Sequence, residues 1–259
     1  MQQRGEDAGH GRQAVRRCKR AALLGSLALA LLLAGCTAGG SSGHAQATAT
    51  PSPTPLVATG TPAASVVYAA IGASDSYGTG TTDPAKDNWP AVLARTLGPS
   101  VRLLNLGIPG ATVGLAIRDE LPIAAQAQPR LVTVFLGIND LIDGEDTPTF
   151  TREMTTLLSA LRDQTDARVY VANLPDLSLL PYFADRNTFA LHEEVLAWNA
   201  AIAGAAAKSD AVLVDLYDDW GELAQNPAYI SRDGLHPSDA GAQRLAAAFA
   251  QEIAAYGGL

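Results

Sequence analysis

Residues 65–80 read SVVYAAIGASDSYGTG, an apolar run that stops on two serines and an aspartate set among glycines. The run at 65–72 is almost free of polar residues, which is the pattern of a strand covered on both faces rather than one with a wet side. Four more runs of this kind come after it: VRLLNLG (101–107), LVTVFLG (131–137), RVYVANLP (168–175) and AVLVDLY (211–217), each ending near Gly, Pro or Asp. Between them, residues 88–97, 111–127, 148–165, 189–208 and 238–256 carry helical spacing. Strands alternating with helices from residue 65 to residue 259 require a single three-layer α/β/α domain around a parallel sheet. Ligands of such open sheets bind beyond the carboxyl ends of the strands. The polar residues just after each run are therefore the candidates for function.

Upstream of residue 65 the chain is poor core material. Arg4, Arg12, Arg16, Arg17, Lys19 and Arg20 lead into AALLGSLALALLLAG (21–35), too short for a comfortable bilayer span and flanked as a secretory signal is. The run ends in Leu33-Ala34-Gly35-Cys36, which resembles the bacterial lipobox. That resemblance implies a signal peptide over 1–35, lipid attachment at Cys36, and a protein held to the extracytoplasmic face of a cell membrane. Residues 36–64, rich in Gly, Ser, Thr, Ala and Pro and nearly free of charge, cannot bury enough apolar surface to offset their ordering entropy and read as a tether. The cysteines are Cys18 and Cys36 alone, so the domain at 65–259 has no disulfide, no thiol nucleophile and no cysteine zinc site. Residues 1–20 hold six of the 18 basic and two of the 26 acidic residues, which leaves 12 against 24, a net charge of −12. A surface of that sign repels phosphate backbones, so nucleic acid is not an expected partner.

At the first strand end, Ser74, Asp75 and Ser76 suit an N-cap as well as they suit chemistry. A phosphate loop is a weaker reading still, because no lysine directly follows the glycines and the dinucleotide fingerprint fails at Asp83. The other end of the chain supplies SRDGLHPSDAG (231–241), where Asp233 can accept the N–H of His236 and leave the second ring nitrogen free as a base. Of the four histidines, His10 and His44 precede the domain, and His192 sits in LHEEVLAWNAAI (191–202), beside two glutamates, on what reads as a solvated helix face. Asn105, Gly107 and Gly110 lie at the end of the second run, and Gly137, Asn139 and Asp140 at the end of the third. Glycine N–H groups and side-chain amides can stabilise an oxyanion, although Asn and Gly also dominate ordinary turns. The apolar stretch Leu179-Leu180-Pro181-Tyr182-Phe183 is suited equally to flanking an acyl chain and to covering the core. Trp89-Pro90 reads as a helix start, and Trp198 and Asn199 as core packing.

The four blocks IGASDSYG (71–78), NLGIPGAT (105–112), LGIND (136–140) and DGLHP (233–237) resemble those of the SGNH, or GDSL-type, hydrolases over nearly the whole region 66–256. The resemblance implies a flavodoxin-like five-stranded parallel sheet of order 2-1-3-4-5. It also implies a catalytic triad of Ser74, Asp233 and His236 with an oxyanion hole from the Ser74 N–H, the Gly110 N–H and the Asn139 side chain. No metal or organic cofactor is expected. Ala73 stands where the family usually has aspartate and Asp75 where it has leucine, which leaves two registers open. Ser74 is preferred over Ser76 because Gly72 lies two residues before it and Gly78 four after. The expected activity is that of a serine ester hydrolase acting on a short or medium acyl ester, a lysolipid or an acylated sugar. A carbohydrate acyltransferase or deacetylase using the same site, and a non-catalytic surface lipoprotein, are the alternatives.

Overall fold

The computed structural model describes residues 65–219, 223 and 225–258. The expected signal peptide, tether and Cys36 lie outside the described residues. In chain order the elements are β1 (Val66–Gly72), α1 (Ser74–Tyr77), α2 (Trp89–Leu97), β2 (Val101–Asn105), α3 (Val113–Asp119), α4 (Leu121–Ala127), β3 (Leu131–Phe135), α5 (Ile138–Asp143), α6 (Thr147–Gln164), β4 (Arg168–Ala172), α7 (Thr188–Ser209), β5 (Val212–Val214), α8 (Leu216–Asp219) and α9 (Asp239–Ala255). The five apolar runs all form strands. They pair in parallel in the order β2-β1-β3-β4-β5, the arrangement expected from the family resemblance.

Every residue of β3 is buried, as is β1 from Tyr68 onward, so the near-continuous apolar patterning is explained by helices on both faces. On one face α2 packs on α9, with Trp89 and Phe249 stacked at a centroid distance of 4.5 Å. On the other, α6 packs on α7 and α3, and Phe150 meets Trp198 at 4.2 Å. The helices begin on local signals. Asn88, Asp146, Asn187 and Ser238 each accept a backbone N–H from the first turn they cap, and Pro90 and Pro148 occupy first-turn positions whose N–H groups have no helical partner anyway.

The structure departs from the sequence expectation at several points. The single helix foreseen over 111–127 is two, α3 and α4, because Pro122 has no N–H to give the Arg118 carbonyl and Glu120 turns its carboxylate inward to the Gly72 N–H at 2.9 Å. β5 stops at Val214 rather than 217: the Asn173 side-chain oxygen accepts the N–H groups of Leu216 and Tyr217 at 2.7 and 3.1 Å and starts α8. Asn199 does more than pack. It is buried in α7 and binds both the N–H and the carbonyl of Leu174, at 2.9 and 2.8 Å, which ends β4 early.

Register decides where function can sit. Gly72 pairs with Phe135 and Ala70 with Asn105, so β1, β2 and β3 finish almost level. The segments beginning at Ala73, Leu106 and Leu136 therefore leave the sheet side by side.

Candidate active site

β1 delivers the chain into the single turn of α1, which is closed by Tyr77 N–H on Ala73 O (2.9 Å) and Gly78 N–H on Ser74 O (3.0 Å). The N-cap is Ala73, which has no side chain to cap with, so Ser74 is the first helical residue and its hydroxyl is not spent on the helix. Its Oγ lies 2.9 Å from Nε2 of His236. Nδ1 of the same ring is 2.8 Å from Oδ2 of Asp233, while Oδ1 of Asp233 accepts the N–H groups of Leu235 and His236, both at 2.9 Å. Burial raises the Asp233 pKa, but the Leu235 and His236 N–H groups and the imidazole outweigh it and hold the carboxyl well below the usual carboxylate range. An ionised carboxylate only accepts hydrogen bonds, so Nδ1 carries the proton and the Nε2 lone pair faces the Ser74 hydroxyl.

Ser76 is placed differently. It is 0 % exposed, its hydroxyl packs against Gly72, and it has no hydrogen-bond partner among the described residues.

The loops after β2 and β3 are fastened together beside this line. Asn139 Nδ2 donates to Ala111 O at 2.9 Å, and the adjacent Asp140 accepts the Val113 N–H at 2.9 Å, so two consecutive residues grip the loop that carries Gly110. The N–H groups of Ser74 and Gly110 make no hydrogen bond among the described residues, and the second N–H of the Asn139 amide is also without a partner there. Asn105, a candidate donor or turn residue, and Asp140, a candidate turn residue, brace instead. Asn105 Nδ2 donates to Ser76 O at 2.6 Å while its oxygen accepts the Gly107 N–H at 3.1 Å. Gly107 is required by proximity: a Cβ there would lie 2.8 Å from the Ser76 Cβ and 2.9 Å from the Ala73 carbonyl.

The model of the GDSL-like lipase/acylhydrolase family matches residues 70–244, the span that contains all four blocks. The chain belongs to this family. It is a carboxylic ester hydrolase. Among solved structures, a lipase/acylhydrolase from Enterococcus faecalis superposes with a TM-score of 0.61 at 19 % identity, covering 74 % of this chain and 96 % of the other. An acetylxylan esterase from Geobacillus stearothermophilus gives 0.60 at 19 % over 73 % and 95 %, and a psychrotrophic esterase from Pseudoalteromonas 0.59 at 18 % over 73 % and 97 %. At such identities the likeness is one of fold. No curated protein matches the sequence.

Within the GDSL-like frame, the two departures in the first block have definite surroundings. Ala73 is buried, and Asp75 is half-buried next to Ser74. Burial pushes the Asp75 pKa up to about 6 against the attraction of His236.

His192 keeps part of the exposure its sequence neighbours suggested, with 38 % of its side chain open to solvent, but it is also engaged. It is partly buried, with Nδ1 3.0 Å from Asp176 Oδ2 and 3.0 Å from the Tyr217 hydroxyl. The partners come from the segments after β4 and β5, which no local pattern around His192 could signal. Asp176 also caps a 3-10 turn at Leu177–Leu179 that runs into a second at Pro181–Phe183, and Tyr182 N–H donates to Gly234 O at 3.1 Å in the histidine loop. The core-covering reading of this apolar stretch holds in part. Leu177, Leu180 and Phe183 are core, whereas Leu179 and Tyr182 face solvent.

Sequence reading missed Glu120. It is 1 % exposed between α3 and α4, accepts the Gly72 N–H two residues before Ser74, and leaves Oε1 without a hydrogen-bond partner among the described residues. Burial pushes its pKa up to about 8 from 4.5, with the Gly72 N–H pulling the other way. The folded chain thus keeps a proton that the unfolded chain releases, and stability falls as pH rises between those two values, by up to about 1.4 kcal/mol per pH unit. Asp140, pushed by burial to about 6 from 3.8, adds to the decline at the acid end. Urea midpoints measured from about pH 5 to about pH 8 will fall accordingly. Glu120→Gln, neutral throughout, will flatten the upper part of that decline, and an unchanged slope in the variant would assign the titration elsewhere.

Proposed function

We propose that the protein cleaves carboxylic esters through an acyl-enzyme on Ser74. His236 Nε2 takes the hydroxyl proton as Oγ attacks the ester carbonyl, and the C–O bond to the alcohol breaks as the imidazolium returns that proton to the leaving oxygen. Water, deprotonated by the same nitrogen, then releases the acid and restores Ser74. Asp233 keeps the ring in its productive tautomer and stabilises its cation. The tetrahedral oxyanion is held by the N–H groups of Ser74 and Gly110 and by the Asn139 amide. The observation that carries this reading is the unbroken line from Ser74 Oγ through His236 to Asp233, at 2.9 and 2.8 Å, joining residues 162 apart in sequence.

The substrate we favour is a short acyl ester of an uncharged, hydroxyl-bearing alcohol. A net charge of −12 after residue 20 and the carboxylates of Asp75 and Asp233 disfavour anionic substrates. Among the structures that share the fold are acetylxylan esterases, which is in keeping with an acetylated carbohydrate as the substrate here. With its leader and Cys36, the protein would work tethered to the outer face of a cell membrane.

Incubation with a fluorophosphonate, followed by peptide mass spectrometry, tests the assignment. The adduct is expected on Ser74, with inactivation proceeding on the same time course as labelling. An adduct on Ser76, or ester turnover that survives complete labelling of Ser74, would overturn it.

A further inference from the structure

The two ends of the catalytic line arrive on separate segments, Ser74 from β1 and His236 from the loop before α9, and nothing in either segment's local sequence fixes their separation. A second pair of hydrogen bonds joins them close by. The Thr82 N–H donates to Oδ1 of Asp239 at 2.7 Å, and the Thr82 hydroxyl donates to Oδ2 of the same carboxylate at 2.6 Å. Thr82 lies eight residues after Ser74 and Asp239 three after His236. Each is tied rigidly to its catalytic neighbour. From Ser74 the chain is pinned by Gly78 and Thr79 N–H groups on the Ser74 carbonyl, then by the Thr81 N–H and hydroxyl on Gly78 O. From His236 it passes through Pro237 and the cap Ser238 into the first residue of α9. Ser231 N–H on His236 O at 2.8 Å and Ser238 N–H on Tyr229 O at 2.8 Å fix that loop from the other side.

Between the two anchors the segments touch. Gly80, at φ +93°, sits so close to the histidine loop that a Cβ would lie 2.7 Å from Pro237 O and 2.9 Å from the His236 Cβ and the Ser231 Oγ. Only a glycine allows both this backbone and this approach.

We infer that Asp239 and Thr82 are positioning residues: their paired hydrogen bonds clasp the serine segment to the histidine segment and hold Ser74 Oγ within reach of His236 Nε2. Neither touches the reacting atoms. The inference rests on Ser74 being the nucleophile. An arrangement of this kind acts on proton transfer, which both chemical steps need, and not on substrate binding. Misplacement by about 1 Å can cost about 100-fold in rate.

Asp239→Ala removes both bonds, and kcat on a short p-nitrophenyl ester will fall about 10- to 100-fold with KM within about twofold. The rate of fluorophosphonate labelling of Ser74 will fall by the same factor. Asp239→Asn discriminates a clasp from a helix-end charge. It loses the charge at the α9 N-terminus but keeps an oxygen for the Thr82 N–H and an amide facing its hydroxyl, so kcat stays within about threefold. Thr82→Val, which keeps the backbone bond, will fall between the two, and Thr82→Ser will recover the parent rate. Each variant is assayed at a temperature where circular dichroism shows it folded. Folded Asp239→Ala with kcat within about twofold of the parent, or Asp239→Asn as impaired as Asp239→Ala, would overturn the clasp. Ser74→Ala in the same series separates the two readings: retained activity there defeats the nucleophile assignment, whereas an inactive Ser74→Ala beside a fully active Asp239→Ala defeats the clasp alone.

Discussion

Ser74→Ala will lower kcat for a short p-nitrophenyl ester by about five to six powers of ten, while Ser76→Ala will stay within about threefold of the parent. The contrast comes from where β1 ends. Gly72 is the last residue of β1 and Ala73 alone carries the chain off the sheet, so Ser74 stands at the mouth of α1 facing His236 Nε2 at 2.9 Å, whereas Ser76 is folded back beneath the turn against Gly72. Removing the Ser74 hydroxyl eliminates the covalent route and leaves only the polarising donors, which alone retain about three to four powers of ten over water. Removing the Ser76 hydroxyl deletes a buried polar atom that has no partner among the described residues, a change that is neutral or slightly stabilising. Purified variants assayed over a substrate series, with folding checked by circular dichroism, give both numbers. A Ser76→Ala variant that is folded and inactive, beside an active Ser74→Ala, would reverse the register.

The choice between those serines shows how far local sequence reaches. The strands were legible because a doubly covered parallel sheet leaves long apolar runs that no surface requirement interrupts, and candidate site residues were legible because such a fold binds ligands at the run ends. Within that set, the resemblance of the four sequence blocks to the family picks out Ser74, Asn139, Asp233 and His236. The bracing residues could not be found in this way. Glu120 answers to Gly72, Asp239 to Thr82, and His192 to Asp176 and Tyr217, each across distant chain, and in sequence each is only another polar residue on a helix. Asn105 shows the same limit. Its amide is placed at a strand end like that of Asn139, yet the level termini of β1 and β2 aim it at the Ser76 carbonyl and the Gly107 N–H. Strand lengths were overread wherever a side chain intercepts the backbone, as Asn173 and Asn199 do after β4 and β5.

Asn139→Ala carries the second-largest effect, a loss of about two to three powers of ten in kcat, or about 2.7–4 kcal/mol of transition-state stabilisation. One N–H of the amide holds Ala111 O at 2.9 Å and so fixes both the amide and the loop carrying Gly110. The other N–H has no partner among the described residues, and we assign it to the oxyanion. A donor already oriented by its own second hydrogen bond needs no reorganisation when charge develops, which is why its value exceeds that of a surface hydrogen bond. The ground-state carbonyl gains little from the same group, so KM should move by no more than about threefold while kcat collapses. The Asp140 grip on Val113 N–H, 2.9 Å long, remains in the variant and keeps the loop anchored, so the loss reports on the donor and not on a collapsed loop. A boronate that forms a tetrahedral adduct with Ser74 should weaken in parallel with kcat. If instead KM rises and kcat holds, Asn139 serves substrate binding alone, and the oxyanion must be stabilised by the N–H groups of Ser74 and Gly110 without it.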